Sequence, residues 1–190
     1  MKAKPMFDFT TFPVLVTRRL TLRELRQSDA VDVLRFRGDP IVQKYDDPVI
    51  HTVAESESFV TELQAEYYAH EGVNWAVTLG RQDIVLGIFS LHHWDQYHRR
   101  AEAGYGLAHA YWHQGIGSEA LQSIVQFGFE QLDLNRIYAR TISDNHESVR
   151  LLERLGFRRE GTQREHSWED DATFHDSAIY GLLALEFPTG

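Results

Sequence analysis

Residues 111–121 read YWHQGIGSEAL, and this stretch decides how the rest of the chain is interpreted. Gly115 and Gly117 stand where a short connection runs into a helical pattern, with Gln114 before them and Ser118 after them. Glycine lets the backbone approach a ligand closely, and the first turn of a helix has N–H groups without partners. With the helix dipole, such groups bind phosphate or pyrophosphate. The stretch therefore predicts a phosphate-binding turn.

Two other interpretations of this turn stay open at the level of sequence. Gly115, Gly117 and Ala120 also fit a loose dinucleotide-binding pattern, with Asp133 at a tolerable distance. That pattern requires a strand that meets the first glycine directly, whereas residues 108–114 intervene here. A glycine pair can also begin a helix that binds nothing.

A long helix is predicted after the turn, over residues 117–131. Its apolar positions recur every three or four residues, as in a helix that lies on a sheet. These positions are Leu121, Ile124, Val125, Gly128 and Leu132. Strands are predicted for residues 17–25, 74–79, 84–91, 100–107, 136–142, 157–161 and 177–185. The short turn at residues 80–83 predicts that the two strands beside it pair antiparallel.

Three further helices are predicted, at residues 29–37, 52–70 and 147–155. Asp29 is the expected N-cap of the first helix. Thr52 and Glu55 form a capping-box pattern at the start of the second, and Gly72 is its expected stop. Gly156 is the expected stop of the third. The order of elements predicts a mixed α/β (α+β) fold with one domain over residues 1–190 and a core of about residues 17–186.

Composition narrows the classes of function. A chain of 190 residues suits a single core, and a net charge of −9 argues against a nucleic-acid partner. The chain has no cysteine, which excludes disulfides, thiolate zinc clusters and a cysteine nucleophile. Residues 1–16 have no signal-peptide pattern and no long apolar run is present, so a cytoplasmic protein without a membrane partner is expected.

The chain resembles the GCN5-related N-acetyltransferases (GNAT), in the branch that includes the ribosomal-protein alanine acetyltransferases. The resemblance extends from residue 17 to residue 186 and depends on the order and spacing of several segments. These are TRRLTLREL at 17–25, AEAGYGL at 101–107, YWHQGIGSEAL at 111–121, FGFEQLDLNRIYA at 127–139 and NHESVRLLERLGFRREG at 145–161.

The resemblance implies a GNAT fold, with a twisted, mostly antiparallel mixed sheet of about seven strands flanked by helices. It implies that the central strands splay around acetyl-coenzyme A, whose pyrophosphate is held by backbone amides of the glycine turn. By position, these are the amides of Gln114, Gly115, Ile116, Gly117 and Ser118. The family often has Gly-Lys at residues 113–114, where this chain has His-Gln, so the turn lacks one glycine and one positive charge.

Acetyl transfer to an amine needs a group that accepts the amine proton. The resemblance places Glu102 beside the acetyl group, where its carboxylate would accept the proton through water. A solvent-facing strand carboxylate is the alternative interpretation of Glu102. His92 and His93 are alternative bases, since unshifted imidazoles titrate near neutrality.

The reaction also needs a donor for the departing thiolate and N–H groups for the oxyanion. The resemblance places Asn145 against the pantetheine arm and Ser148 near the sulfur, while helix capping explains the same two residues without a ligand. Tyr105 and Tyr138 are further candidates for the acid. The oxyanion would lie against strand N–H groups at residues 104–107, where the glycines also suggest a bulge.

The implied activity is transfer of an acetyl group from acetyl-coenzyme A to a primary amine, either a protein N-terminus or a small molecule. Without a cysteine, direct transfer in a ternary complex is expected. A non-catalytic acetyl-coenzyme A sensor is the alternative, and a homodimer is left open. No metal is expected, because the histidine pairs His109/His113 and His92/His93, with His98, lack a clear third ligand. Five loop residues are expected either around the acceptor pocket or as packing residues of their loops: Tyr45, Asp46, Asp47, Trp94 and Tyr97.

Overall fold

The computed structural model describes residues 7–45, 49–80, 82–169 and 172–188. Its strands form one sheet of eight strands in the order β1-β2-β3-β4-β5-β6-β8-β7. The strands are β1 (Leu15–Val16), β2 (Leu20–Glu24), β3 (Val73–Leu79), β4 (Val85–Asp95), β5 (Arg100–Leu107), β6 (Arg136–Ile142), β7 (Arg158–Trp168) and β8 (Phe174–Leu183). The helices are α1 (Ala30–Arg37), α2 (Pro40–Gln43), α3 (Val53–Tyr68), α4 (Ile116–Glu130) and α5 (His146–Arg154). The mixed, mostly antiparallel sheet flanked by helices is confirmed.

The sheet opens at its centre. All neighbouring strands pair antiparallel except β5 and β6, which are parallel. Their pairing covers only Arg100–Glu102 on β5 and Arg136–Tyr138 on β6. Beyond Glu102 the two strands have no paired residues, although β5 continues to Leu107 and β6 to Ile142. The predicted splay between central strands is therefore confirmed, and it begins at Glu102.

The starts of α4 and α5 both lie at this opening because of how the chain connects them to the strands. Parallel strands present their carboxyl ends at the same edge. The segment after β5 leads into α4, and the segment after β6 leads into α5. The first turns of both helices therefore lie where β5 and β6 separate.

The helices cover the sheet from two sides. Alternate side chains of a strand point to opposite faces. On one face, Val33 of α1 and Val60 of α3 pack in a buried cluster with Ala76 and Ile88 of the sheet. On the other face, the predicted apolar stripe of α4 is buried against the strands, as expected for a helix on a sheet. α4 approaches closely at Gly128, because a Cβ there would meet Leu91 Cδ1 at 2.9 Å.

The first of two errors at predicted helix ends concerns Asp29, which occupies the N-cap position of α1 but does not cap that helix with its side chain. Asp29 precedes α1, yet it has helical dihedral angles and its side chain makes no capping bond. Its carboxylate instead accepts hydrogen bonds from Arg23 at 2.8 and 2.9 Å and from the Arg26 amide at 2.7 Å. An unpaired buried guanidinium costs more free energy than an uncapped helix end, because water can bind the N–H groups at a helix end.

The second error concerns the end of α3. The stop is His70, with φ at 62°, and not Gly72. The His70 ring stacks on Phe9 with centroids 4.0 Å apart, a long-range contact that holds the histidine in place. At the start of α3, Thr52 caps the Glu55 amide as predicted, but the Glu55 carboxylate accepts from the His51 amide. The stop at Gly156 is confirmed by its φ of 88° after α5.

Candidate active site

The glycine turn has the geometry of an anion site. His113 and Gly115 have positive φ angles of 58° and 74°. The first bond of the helical ladder runs from the Glu119 N–H to the Gly115 carbonyl at 3.1 Å. The amides of residues 114–118 therefore precede the ladder, and they find no acceptor among the residues that the structure describes. A pyrophosphate fits these donors, since it supplies the acceptors that the protein does not.

His113 takes the conformation for which the family often uses glycine. A positive φ is uncommon for a residue with a Cβ, so this position is strained. The His113 Nδ1 atom lies 3.5 Å from a Glu147 carboxylate oxygen in the first turn of α5. This contact links the turn to the helix on the other side of the opening.

Arg19, which sequence reasoning missed, anchors the turn. It donates through Nη1 to the Gln114 carbonyl at 2.9 Å and through Nε to Glu119 at 2.6 Å. Glu119 also accepts from the Thr17 hydroxyl at 2.6 Å and the Arg19 amide at 2.9 Å. Through these bonds, Arg19 holds the turn in its shape. Because its charge is paired with Glu119, Arg19 does not replace the positive charge that the turn lacks. The Arg19–Glu119 contact spans 100 residues of sequence, so spacing alone does not reveal it.

The start of α5 brings two predicted residues together. The Asn145 side chain accepts from the Ser148 amide at 3.2 Å, so it caps α5. The Ser148 hydroxyl lies 2.7 Å from the Tyr105 hydroxyl of β5. Burial raises the pKa of Tyr105 above its ordinary value of 10.0, which keeps the phenol protonated. A protonated Tyr105 can donate to Ser148, and the Ser148 hydrogen is then free for another acceptor.

The predicted bulge at residues 104–107 is wrong. The β4–β5 register is unbroken from Gly87–Leu107 to His92–Glu102, and its shift lies between His92 and Asp95. The splay instead comes from the divergence of β6. Beyond Glu102, the N–H groups of β5 that point towards β6 have no partner on that strand, so they are candidate donors for an oxyanion.

Glu102 lies at the last paired position before the splay and is only 6% exposed. Its carboxylate accepts from Arg140 at 2.9 and 3.3 Å and lies 3.1 Å from His93 Nδ1. Burial alone raises the pKa of Glu102, but the hydrogen bonds from Arg140 and His93 outweigh it and the net pKa is lowered. Glu102 is thus an ionised, partnered carboxylate, and the interpretation of a solvent-facing strand residue is wrong. Arg140 was missed, because β5 and β6 become neighbours only in the fold.

Three potential metal ligands come together beside Glu102. Ligand atoms of His92, His93 and Glu102 lie within 4.8 Å of one another, and His98 is not part of this group. Arg140 binds the same carboxylate. Its fixed positive charge opposes a cation at this place.

The residues that were expected around the acceptor pocket do not come together in the described part of the chain. Trp94 lies in β4 and not in a loop, and it packs against Phe9 with ring centroids 5.4 Å apart. Tyr97 is 90% exposed. Asp46 and Asp47 lie outside the described residues. An open pocket of about 370 Å³ instead lies on the sheet face beside Glu102, where Tyr138 and Arg140 line it.

Comparisons with known proteins agree with this geometry. Residues 19–158 match the family model described as an acetyltransferase (GNAT) domain. YoaA of Bacillus subtilis, named an uncharacterised N-acetyltransferase, is 31% identical over 90% of this chain and 97% of its own. YdaF of Bacillus subtilis, named provisionally as a ribosomal N-acetyltransferase, is 36% identical over 69% of this chain and 70% of its own.

A solved structure extends the agreement to the fold. Mycobacterium smegmatis RimJ in complex with CoA-disulfide superposes with a TM-score of 0.84, at 23% identity, over 93% of this chain and 90% of that one. The chain therefore belongs to the GNAT acetyltransferase family. Within that family it is an acetyl-CoA-dependent N-acetyltransferase. Among the described residues, none of the helices has the length and apolarity that crossing a membrane needs.

Proposed function

We propose that the protein transfers an acetyl group directly from acetyl-CoA to a primary amine in a ternary complex. A protein N-terminal α-amine is the first acceptor to test, because the relative YdaF is named for a ribosomal activity. The reference pKa of an α-amine, about 7.7–8.0, leaves a substantial fraction of that amine neutral near pH 7.5, whereas a lysine amine with a pKa of about 10.4 is almost fully charged. Small-molecule amines remain the second class of acceptor.

The observation that carries the proposal is the position of the unpartnered amides at residues 114–118, at the edge where β5 and β6 separate. These amides would hold the pyrophosphate, and Asn145 at the start of α5 would face the pantetheine arm. When bound, acetyl-CoA supplies the thioester carbonyl that the amine attacks. The protein's part is to hold that carbonyl among donors that need no rearrangement.

Two side chains have proposed chemical roles. The Ser148 hydroxyl, supported by Tyr105 at 2.7 Å, donates a hydrogen bond to the sulfur as it leaves. Glu102 places a negative charge at the start of the splay, which attracts a cationic amine to the reaction centre.

The first experiment separates cofactor binding from transfer. Isothermal titration with acetyl-CoA, with NADH as the matched control, should show saturable binding of acetyl-CoA alone. Thiol release is then measured with short peptides that have free N-terminal Ser, Ala or Met, with their N-formylated forms as controls, and with spermidine. Binding without release for any amine would contradict the acceptor proposal, and absence of acetyl-CoA binding would contradict the cofactor site.

One observation favours the second candidate, a non-transferring acetyl-CoA sensor. Both oxygens of Glu102 are engaged by Arg140, which makes that carboxylate a weak proton acceptor. If Glu102 were the only base available, transfer would be slow. Thiol release that depends on an amine decides between the two candidates.

A further inference from the structure

The imidazole of His92 lies close to Gly104 of β5, at the point where the splay opens. His92 on β4 pairs with Glu102, and Ser90 pairs with Gly104, so these four residues share one face of the sheet. A Cβ on Gly104 would lie 2.7 Å from His92 Cε1 and 2.9 Å from Ser90 Oγ. Only glycine leaves room for the ring. Gly104 is also among the first residues of β5 beyond its pairing with β6.

The contacts of Ser90 are the basis for assigning the hydrogen of the His92 ring to one nitrogen. The Ser90 hydroxyl donates its single hydrogen to the Gly104 carbonyl at 3.3 Å. The same oxygen lies 3.3 Å from His92 Nδ1. Because a carbonyl oxygen only accepts, we assign the Ser90 hydrogen to Gly104 and the His92 hydrogen to Nδ1, which then donates to Ser90. The other nitrogen, Nε2, then has a free lone pair.

The Nε2 atom lies close to Glu102, at the last paired position before the splay. His92 Nε2 lies 3.9 Å from a Glu102 carboxylate oxygen, which is too far for a direct hydrogen bond. One amine nitrogen placed between the two atoms can reach both at about 2.9 Å. The His92 side chain is 30% exposed, so part of the ring is accessible.

We infer that His92 Nε2, and not Glu102, accepts the proton that the amine loses, with Ser90 and Gly104 as its positioning residues. The inference rests on the proposed function and names the base for that reaction. A cationic amine first releases one proton to solvent and reacts in its neutral form. As the nitrogen–carbon bond forms, one N–H proton passes to His92 Nε2 and the carbon–sulfur bond breaks. The sulfur leaves as a thiolate that accepts a hydrogen bond from Ser148. The thiolate then takes a proton from solvent, and the His92 imidazolium returns one to solvent.

The groups around His92 agree with this role. Burial lowers the pKa of His92 most strongly; Glu102 and Glu66 raise it, and His93 and Arg140 lower it. The net pKa is below the ordinary value of 6.5, so His92 is neutral at pH 7 and able to accept a proton. Glu102, held ionised by Arg140, remains the charge that attracts the amine and stabilises the imidazolium.

The test compares His92→Gln with His93→Gln and with the exposed control His98→Gln, each measured from pH 5 to 9. We expect His92→Gln to lower kcat by about 10²-fold and to abolish the acid limb of the pH profile, with the acetyl-CoA dissociation constant unchanged. His93→Gln should keep the acid limb, and His98→Gln should match the wild type. Added imidazole should restore part of the rate of His92→Ala. Full activity of His92→Gln with an unchanged acid limb would overturn the inference.

A spectroscopic measurement decides the inference independently of any acceptor. Nitrogen-15 spectra of the histidine rings, with His92 assigned from His92→Gln, should show Nδ1 protonated and Nε2 unprotonated at pH 7. The titration midpoint should fall below about 6.5. Ser90→Ala should release the fixed tautomer. A protonated Nε2 or a doubly protonated ring at pH 7 would refute the inference, whereas inactivity of the wild type towards every amine would count against the proposed function instead.

Discussion

The hydroxyls of Tyr105 and Ser148 lie 2.7 Å apart and join β5 to the first turn of α5. They meet across the region where β5 and β6 have no paired residues. The contact therefore bridges the opening in the sheet, and Tyr105 reaches it from the face opposite to Glu102. In the proposed mechanism, the proton donor Ser148 and the charge of Glu102 therefore approach the opening from opposite faces of the sheet.

The Tyr105–Ser148 pair gives the first prediction. Ser148→Ala removes the hydrogen offered to the sulfur and should lower kcat by about 10²-fold, with little change in acetyl-CoA affinity. Tyr105→Phe leaves the Ser148 hydroxyl in place and should lower kcat by less than about 10-fold. Steady-state kinetics with the best amine of the acceptor panel, together with titration of acetyl-CoA, checks both. A larger loss in Tyr105→Phe than in Ser148→Ala would make Tyr105 the acid.

The second prediction concerns Gly115, whose φ of 74° is unfavourable for a residue with a Cβ. Gly115→Ala should lower the free energy of unfolding by about 1–2 kcal/mol and weaken acetyl-CoA binding, since the turn must relax. The strain is conformational, because the nearest atom to the added Cβ is Arg19 Nη2 at 3.4 Å.

Gly161→Ala is the matched control for this prediction. A Cβ at Gly161 meets nothing within 4 Å. This variant should stay within about 0.5 kcal/mol of the wild type and bind acetyl-CoA normally. Urea unfolding and calorimetric titration of both variants make the comparison, and equal affinities would remove the turn from the binding site.

The third prediction concerns the contact between α4 and the sheet. Gly128→Ala adds a Cβ 2.9 Å from Ile137 Cδ1 and 2.9 Å from Leu91 Cδ1. Overpacking costs about 1–3 kcal/mol, while alanine gains about 1 kcal/mol of helix propensity. A net loss of about 1 kcal/mol is expected in urea unfolding. Gln122→Ala, at an exposed position of the same helix, should be neutral or stabilising. Stabilisation by Gly128→Ala would show that the helix moves away without cost.

The fourth prediction concerns pH and Glu119. Burial raises the pKa of Glu119, but hydrogen bonds from Thr17 and Arg19 outweigh it and the net pKa is lowered. Since the folded pKa lies below the ordinary 4.5, the stabilisation from Glu119 is complete above pH 4.5 and is lost as the pH falls through the folded pKa. The stability difference between wild type and Glu119→Gln should be constant from pH 5 to 7 and should narrow below about pH 4.5.

The control for this pH prediction is the exposed residue Glu57 on α3. Urea unfolding of Glu57→Gln should follow the wild type at every pH. A gap for Glu119→Gln that widens as the pH falls would contradict the assigned pairing with Arg19.

Much of the fold could be predicted because burial leaves a periodic pattern. The boundaries of β5 and β6 were predicted to the residue, and α4 to within one residue at each end. β7 was predicted to end at residue 161, yet it continues to Trp168. Its residues beyond Gly161 are nearly all exposed, so pairing with β8 maintains the strand and no apolar alternation marks it.

The site residues with a local sequence signature could likewise be predicted, and those that depend on long-range contacts could not. The glycine turn and the start of α5 were identified from short sequence segments, since both are helix starts with a local signature. Arg19, Arg140 and Ser90 were not identified. Arg19 reaches the turn across 95 residues of sequence, and Arg140 reaches Glu102 across 38. Such partners exist only once the strand order is known.

The missing side chain of Gly104 has a consequence for how this site can vary. The space that a Cβ would take is filled by the ring of His92 and the hydroxyl of Ser90. Replacement of Gly104 alone displaces the imidazole, and replacement of His92 alone leaves an empty slot over the glycine. The residue that position 104 accepts therefore depends on the residue at position 92. A chain of this fold without the histidine has room for a larger residue at position 104, so histidine at 92 together with glycine at 104 is the sequence pattern that we expect wherever this proton acceptor is used.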